Sequence, residues 1–133
     1  MSKPVPVGTR GEAETTVELR QTLTAWKEHL PPVYSTPQMI GLMEAAAYYA
    51  LEPFLEGDEV SVGTSIDIKH RAPAVVGQTV KAEAVLESFD GRFYTFKVSA
   101  NNGHEVIGYG QIGRAIVSKG KFEERQRAKL SKP

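Results

Sequence analysis

Two side chains of this sequence have the types and placement for acid–base or nucleophilic work, Glu44 and His70, and a third, Thr36, is ambiguous. Glu44 is the only charge in the run from Met39 to Leu51, which is otherwise apolar or small almost all round. A run of that kind marks a helix enclosed on most sides. A carboxylate there costs several kcal/mol unless it is paired, hydrogen-bonded or protonated. Two readings stand: a structural carboxylate tied to its neighbours, or a group kept for general base work or direct attack. His70 ends a run of alternating residues on the same side as two isoleucines, so it faces the core and can exchange protons near neutral pH. Alone, such a histidine is more often a satisfied core residue than a catalyst; the company of Glu44 reverses that weighting. Thr36 stands at the first position of the helix, where its hydroxyl is explained as an N-cap.

The elements that must position these groups follow from periodicity. Pro37 suits the first turn of a helix over Thr36–Leu51, and Gly41 within it points to close approach by another backbone or a ligand. Upstream, residues 1–10 read as a surface leader and Glu12–Leu19 as an edge strand. Gln21–His29 reads as a short helix or irregular cover. Leu30-Pro31-Pro32-Val33-Tyr34-Ser35 must run extended, as a lid over a pocket or a connector packed on the core. Downstream, Val60–His70 alternates with Val62, Thr64, Ile66 and Ile68 on one face and Gly63, Ser65, Asp67 and Lys69 on the other. Val80, Ala82, Ala84 and Leu86 form the dry face of the next strand. Asp90-Gly91 marks a hairpin into Phe93–Ala100, and Asn101-Asn102-Gly103 turns the chain into His104–Val117. Glycines 108, 110 and 113 there suggest bulges, curvature or tight packing over the helix. Lys119–Lys129 reads as a charged terminal helix, most simply a solvated face, although its cations could touch a coenzyme phosphate.

The expected fold is therefore α+β: a curved antiparallel sheet of about five strands wrapped around one long central helix, the four strands after the helix in meander-like succession. One such sheet covers only part of that helix, and a second copy would cover the rest. The 133 residues make one domain, 1–133, large enough for a core of its own. No cysteine is present, which excludes thiol nucleophiles and cysteine zinc sites, and three histidines make a histidine-rich metal site improbable. Zero formal net charge argues against nucleic acid as a partner. No apolar stretch reaches membrane-spanning length, and the first eight residues lack a signal sequence. The expectation is a cytoplasmic protein with no membrane partner.

The arrangement resembles the hot-dog fold. Leu30-Pro31-Pro32-Val33-Tyr34-Ser35-Thr36, Gly41-Leu42-Met43-Glu44, Gly63-Thr64-Ser65-Ile66-Asp67-Ile68-Lys69-His70 and Ile107-Gly108-Tyr109-Gly110 with Arg114-Ala115 together resemble the fluoroacetyl-CoA thioesterase family. The resemblance covers roughly Pro31 to Glu124. It implies a thioester hydrolase acting on a small acyl-CoA, with Thr36, Glu44 and His70 catalytic. It further implies Gly63 and Arg114 near the acyl group, with Leu30 and Tyr34 in the lid. No cofactor or metal is implied. That family recognises its fluorinated acyl group with lid phenylalanines; this chain has Leu30, which points to a different acyl substrate. The competing readings are a hydratase of the same fold and a non-catalytic acyl-thioester or small-ligand binding protein.

Thr36 and Glu44 are eight residues apart, about 12 Å along a helix axis. They cannot touch within one helix, so the expectation is a homodimer, or a higher oligomer built from it, with a site completed across the interface or by a bound substrate.

Overall fold

The computed structural model describes residues 3–131; Met1, Ser2, Lys132 and Pro133, which include ends of the expected leader and tail, lie outside the described residues. Five strands, β1 (Arg10–Thr16), β2 (Glu59–His70), β3 (Thr79–Phe89), β4 (Tyr94–Asn101) and β5 (Val106–Ser118), form one antiparallel sheet in the order β1-β3-β4-β5-β2. Helix α1 (Leu23–Trp26) is short, α2 (Thr36–Leu51) is the long central helix, and α3 (Lys119–Leu130) follows β5 directly. This is the hot-dog architecture.

Only β3, β4 and β5 form a meander. The expectation of four strands in succession is corrected at β2, which pairs with β5 at the far edge instead of with β3. The segment between β2 and β3 therefore crosses the end of the sheet, where Val33 bridges Val75 and ties the proline-stiffened stretch down. The hairpin at Asp90 forms as its chemistry dictates: the Asp90 carboxylate accepts the amides of Arg92 (3.0 Å) and Phe93 (2.7 Å).

The core lies between the concave face of the sheet and α2. Met39, Met43, Ala46, Ala47 and Leu51 of the helix are fully buried against Val80, Ala82, Ala84 and Leu86 of β3 and Phe96 and Val98 of β4. Burial of each large side chain of this kind stabilises the fold by about 2 kcal/mol. Contact with β1 is closer still. A Cβ at Gly11 would lie 2.0 Å from the Ala46 carbonyl oxygen, so the strand rests on the helix backbone. The opposite side of α2 is not covered. Gly41 and Gln38 are exposed, Tyr49 is 51% exposed, and nothing comes within 4 Å of the Gly41 Cβ position. The expected close approach at Gly41 is thus absent among the described residues, because the helix turns that face away from its own sheet.

Candidate functional site

Helix α2 begins at Thr36 with Ser35 as its N-cap residue, and no side chain caps the first turn. The expected capping role of Thr36 is replaced by another partner: its Oγ1 lies 2.7 Å from Nδ1 of His70 at the end of β2. Pro37, in the first turn, has no N–H that would need a partner. His70 Nε2 is buried and makes no hydrogen bond to the described residues. Desolvation lowers the pKa of this imidazole below its ordinary value, with the Ala72 backbone opposing the shift. A neutral ring follows at neutral pH, able to act as a base toward the hydroxyl it touches.

Two turns further along α2, Glu44 meets β5 and β2. Arg114 donates from Nη1 to Glu44 Oε2 at 3.2 Å. Its other nitrogens are fixed by one residue of β2, Nε to the Ser61 hydroxyl at 3.0 Å and Nη2 to the Ser61 carbonyl at 2.8 Å. The guanidinium carbon sits 6.0 Å from the centre of the Tyr48 ring. Arg114 is 6% exposed, and burial lowers its pKa while the Glu44 carboxylate pulls it back up. Unlike the enclosed carboxylate expected from the sequence, the Glu44 side chain is 35% exposed and ion-paired. Both features remove most of the cost of placing a charge on an apolar helix.

Gly63 completes this cluster. A Cβ there would sit 3.0 Å from Glu44 Oε2, so the carboxylate rests directly on the strand backbone. Strict alternation had put Gly63 on the far face, with Val62 toward the helix. The register shifts between Gly63 and Ser65 instead. One extra residue at Thr64 lets Ser61 and Gly63 face Glu44 on one side of the bulge, while Ile68 and His70 face the same way on the other. Ser61 was not found from the sequence. Its only signal was its parity with Gly63, which an unbroken strand would have turned outward.

The structure thus brings Thr36 to His70 and Glu44 to Arg114 and Gly63. Within the described residues no hydrogen bond or ion pair links the two groups. The segment before α2 is anchored from both sides. Tyr34 is buried, donates its hydroxyl to the Gln38 carbonyl at 3.1 Å and has its pKa pushed up to about 12 by burial. Leu30 lies half-buried in the loop above it, its carbonyl accepting from the Thr24 hydroxyl at 2.7 Å. Trp26, in the same loop, is 77% exposed.

The family model for fluoroacetyl-CoA-specific thioesterase matches residues 17–120. Over 99 residues the chain is 41% identical to the fluoroacetyl-CoA thioesterase of Streptantibioticus cattleyicolor, covering 74% of this chain and 71% of that protein. Among solved structures, the fluoroacetyl-CoA thioesterase FlK superposes with a TM-score of 0.89 at 34% identity, covering 98% of this chain and all of the other. A variant of that enzyme in complex with fluoroacetate and CoA superposes with a TM-score of 0.81 at 36% identity, over 88% of this chain and 98% of the other.

Proposed function

The chain belongs to the fluoroacetyl-CoA-specific thioesterase family, and from that premise we propose that it hydrolyses a small acyl-CoA with Thr36, Glu44 and His70 as its catalytic residues. The observation that carries this reading is the 2.7 Å contact between Thr36 and His70, in which a hydroxyl not used for helix capping faces a neutral imidazole. Thioester hydrolysis forms a C–O bond and breaks a C–S bond, and the proton released by water ends on the departing coenzyme thiolate. Glu44 activates the attacking oxygen or attacks itself, while Thr36 and His70 relay the proton. Arg114 and Gly63 hold the carboxylate in place beside the acyl group. No helix among the described residues is long and apolar enough to cross a membrane, which fits a substrate that arrives from solution.

The two halves lie on one helix about 12 Å apart along its axis, so the active unit in this reading is a homodimer. Thr36 and His70 of one protomer face Glu44 of the other. Strand β2 supports this: it is a twelve-residue edge whose outer row of amides and carbonyls pairs with no strand among the described residues. Leu30 stands where the family places a lid phenylalanine, so the preferred acyl group is not fluoroacetyl.

Release of free thiol from a panel of short, branched, aromatic and halogenated acyl-CoAs tests the reading. Hydrolysis of a short non-fluorinated member at least as fast as fluoroacetyl-CoA is expected. Silence across the panel would reject the activity, and a strong preference for fluoroacetyl-CoA would reject the specificity. Light scattering at assay concentration should return twice the chain mass.

A further inference from the structure

The charged terminal helix buries none of its residues, as a solvated face would, and its start borders a cleft. Where β5 runs into α3, Ile116, Val117, Ser118, Lys121, Phe122 and Arg125 line a cleft of about 250 Å³. Lys121 and Arg125 are one turn apart on α3 and therefore project to one side. Neither forms an ion pair among the described residues, whereas Lys119 on the same helix faces Glu123 at 3.8 Å. Asp58, which lines a second cleft together with Lys121, accepts from the Gly120 amide at 2.9 Å and the Ser118 hydroxyl at 3.0 Å, bonds that lower its pKa with help from the Lys121 charge. Phe122 shares the cleft with the two cations and is 38% exposed.

This cleft lies along the strand, β5, that carries Arg114. Ile116 is two residues beyond Arg114 on β5, hence on the same face of the sheet. From Arg114 to Ser118 is four strand residues, about 13 Å, a distance that an extended pantetheine arm covers. A site that cuts an acyl thioester near Glu44 must leave the other end of the coenzyme at such a distance, with its phosphates needing cations and its purine an exposed ring. We propose that the cleft between β5 and α3 seats the phosphorylated nucleotide end of the coenzyme, with Lys121 and Arg125 on its phosphates and Phe122 against the base. The assignment rests on the acyl-CoA thioesterase reading above.

The test compares the Lys121→Ala/Arg125→Ala variant with wild type on one acyl group carried by CoA and by pantetheine, which lacks the nucleotide. For acyl-CoA the variant's KM should rise about tenfold with kcat unchanged, and for acyl-pantetheine neither constant should move. Lys129→Ala, a charge change outside the cleft, should leave both substrates alone. In calorimetry 3′,5′-ADP should bind wild type and fail to bind the double variant. Equal effects on the two substrates, no effect on either, an equal effect from Lys129→Ala, or undiminished 3′,5′-ADP binding by the variant would each overturn the cleft assignment. Should wild type hydrolyse neither substrate, the thioesterase reading fails, and the 3′,5′-ADP titration still decides the cleft.

Discussion

Helix α2 carries a neutral pair at its first turn and an ionic pair at its middle, and the two are held by different means. Thr36 and His70 meet through a single contact between a helix start and a strand end, with half the imidazole's hydrogen-bonding capacity unused by the described residues. Glu44 is gripped on one side by a buried guanidinium, itself fixed at two atoms of Ser61, and supported on the other by bare strand backbone at Gly63. The first arrangement leaves a proton free to move; the second fixes a charge in position. Within one protomer the two pairs stand apart, and in the dimer proposed above the mobile proton of one protomer and the oriented carboxylate of the other flank the acyl group.

The largest expected effect breaks the ionic half. Glu44→Gln should lower turnover by about 100-fold or more while light scattering still returns the wild-type mass. Unchanged turnover would remove Glu44 from the chemistry and leave it as a structural partner of Arg114. Next comes the neutral half: Thr36→Ala should cost about tenfold to 100-fold in kcat, and Thr36→Ser, which keeps the hydroxyl, should recover most of it. A Thr36→Ser variant as poor as Thr36→Ala would mean that shape and not the hydroxyl matters there.

Gly63→Ala sharpens the difference between the halves. The added methyl, 3.0 Å from Oε2, must push the Glu44 carboxylate by a few tenths of an ångström. A fall of about tenfold in kcat with little change in melting temperature is expected, since misplacement of a reacting group costs rate more than stability. The smallest effect is on pH dependence. His70 titrates at its ordinary value of 6.5 in the unfolded chain and lower in the fold, because burial penalises the charged ring. Its contribution to stability is therefore present above 6.5 and lost as pH falls through the folded value. Melting temperature should drop on acidification through this range in wild type and drop less in His70→Asn; parallel curves would count against a buried neutral imidazole.

Much of the fold could be read from local chemistry. The helix over Thr36–Leu51, the dry face Val80–Leu86, the Asp90 hairpin and the charged α3 depend on neighbours close in sequence, and each formed within a residue or two of the expected limits. The placement of β2 did not follow from such signals, because which strand it pairs with is settled by the path of residues 71–78 and not by β2 itself. The same gap explains the site. Thr36, Glu44 and His70 could be singled out by type and position, yet the Thr36–His70 contact spans 34 positions and the hold of Ser61 on Arg114 spans 53. Ser61 and Gly63 face Glu44 only because one residue loops out of the ladder, an event that alternation alone cannot reveal.

Gly11 sets a limit on how this chain can misfold. Strand β1, Arg-Gly-Glu-Ala-Glu-Thr-Thr, is short, charged and on the margin of the sheet, with almost no apolar side chain to choose its alignment. Sliding it by two places would bring Ala13 to the spot where the helix backbone already fills the space of a methyl group. A single missing carbon therefore acts as the key that admits one alignment and refuses its neighbour. Any residue larger than hydrogen at position 11 would unlock the strand from the helix before disturbing anything at the catalytic end.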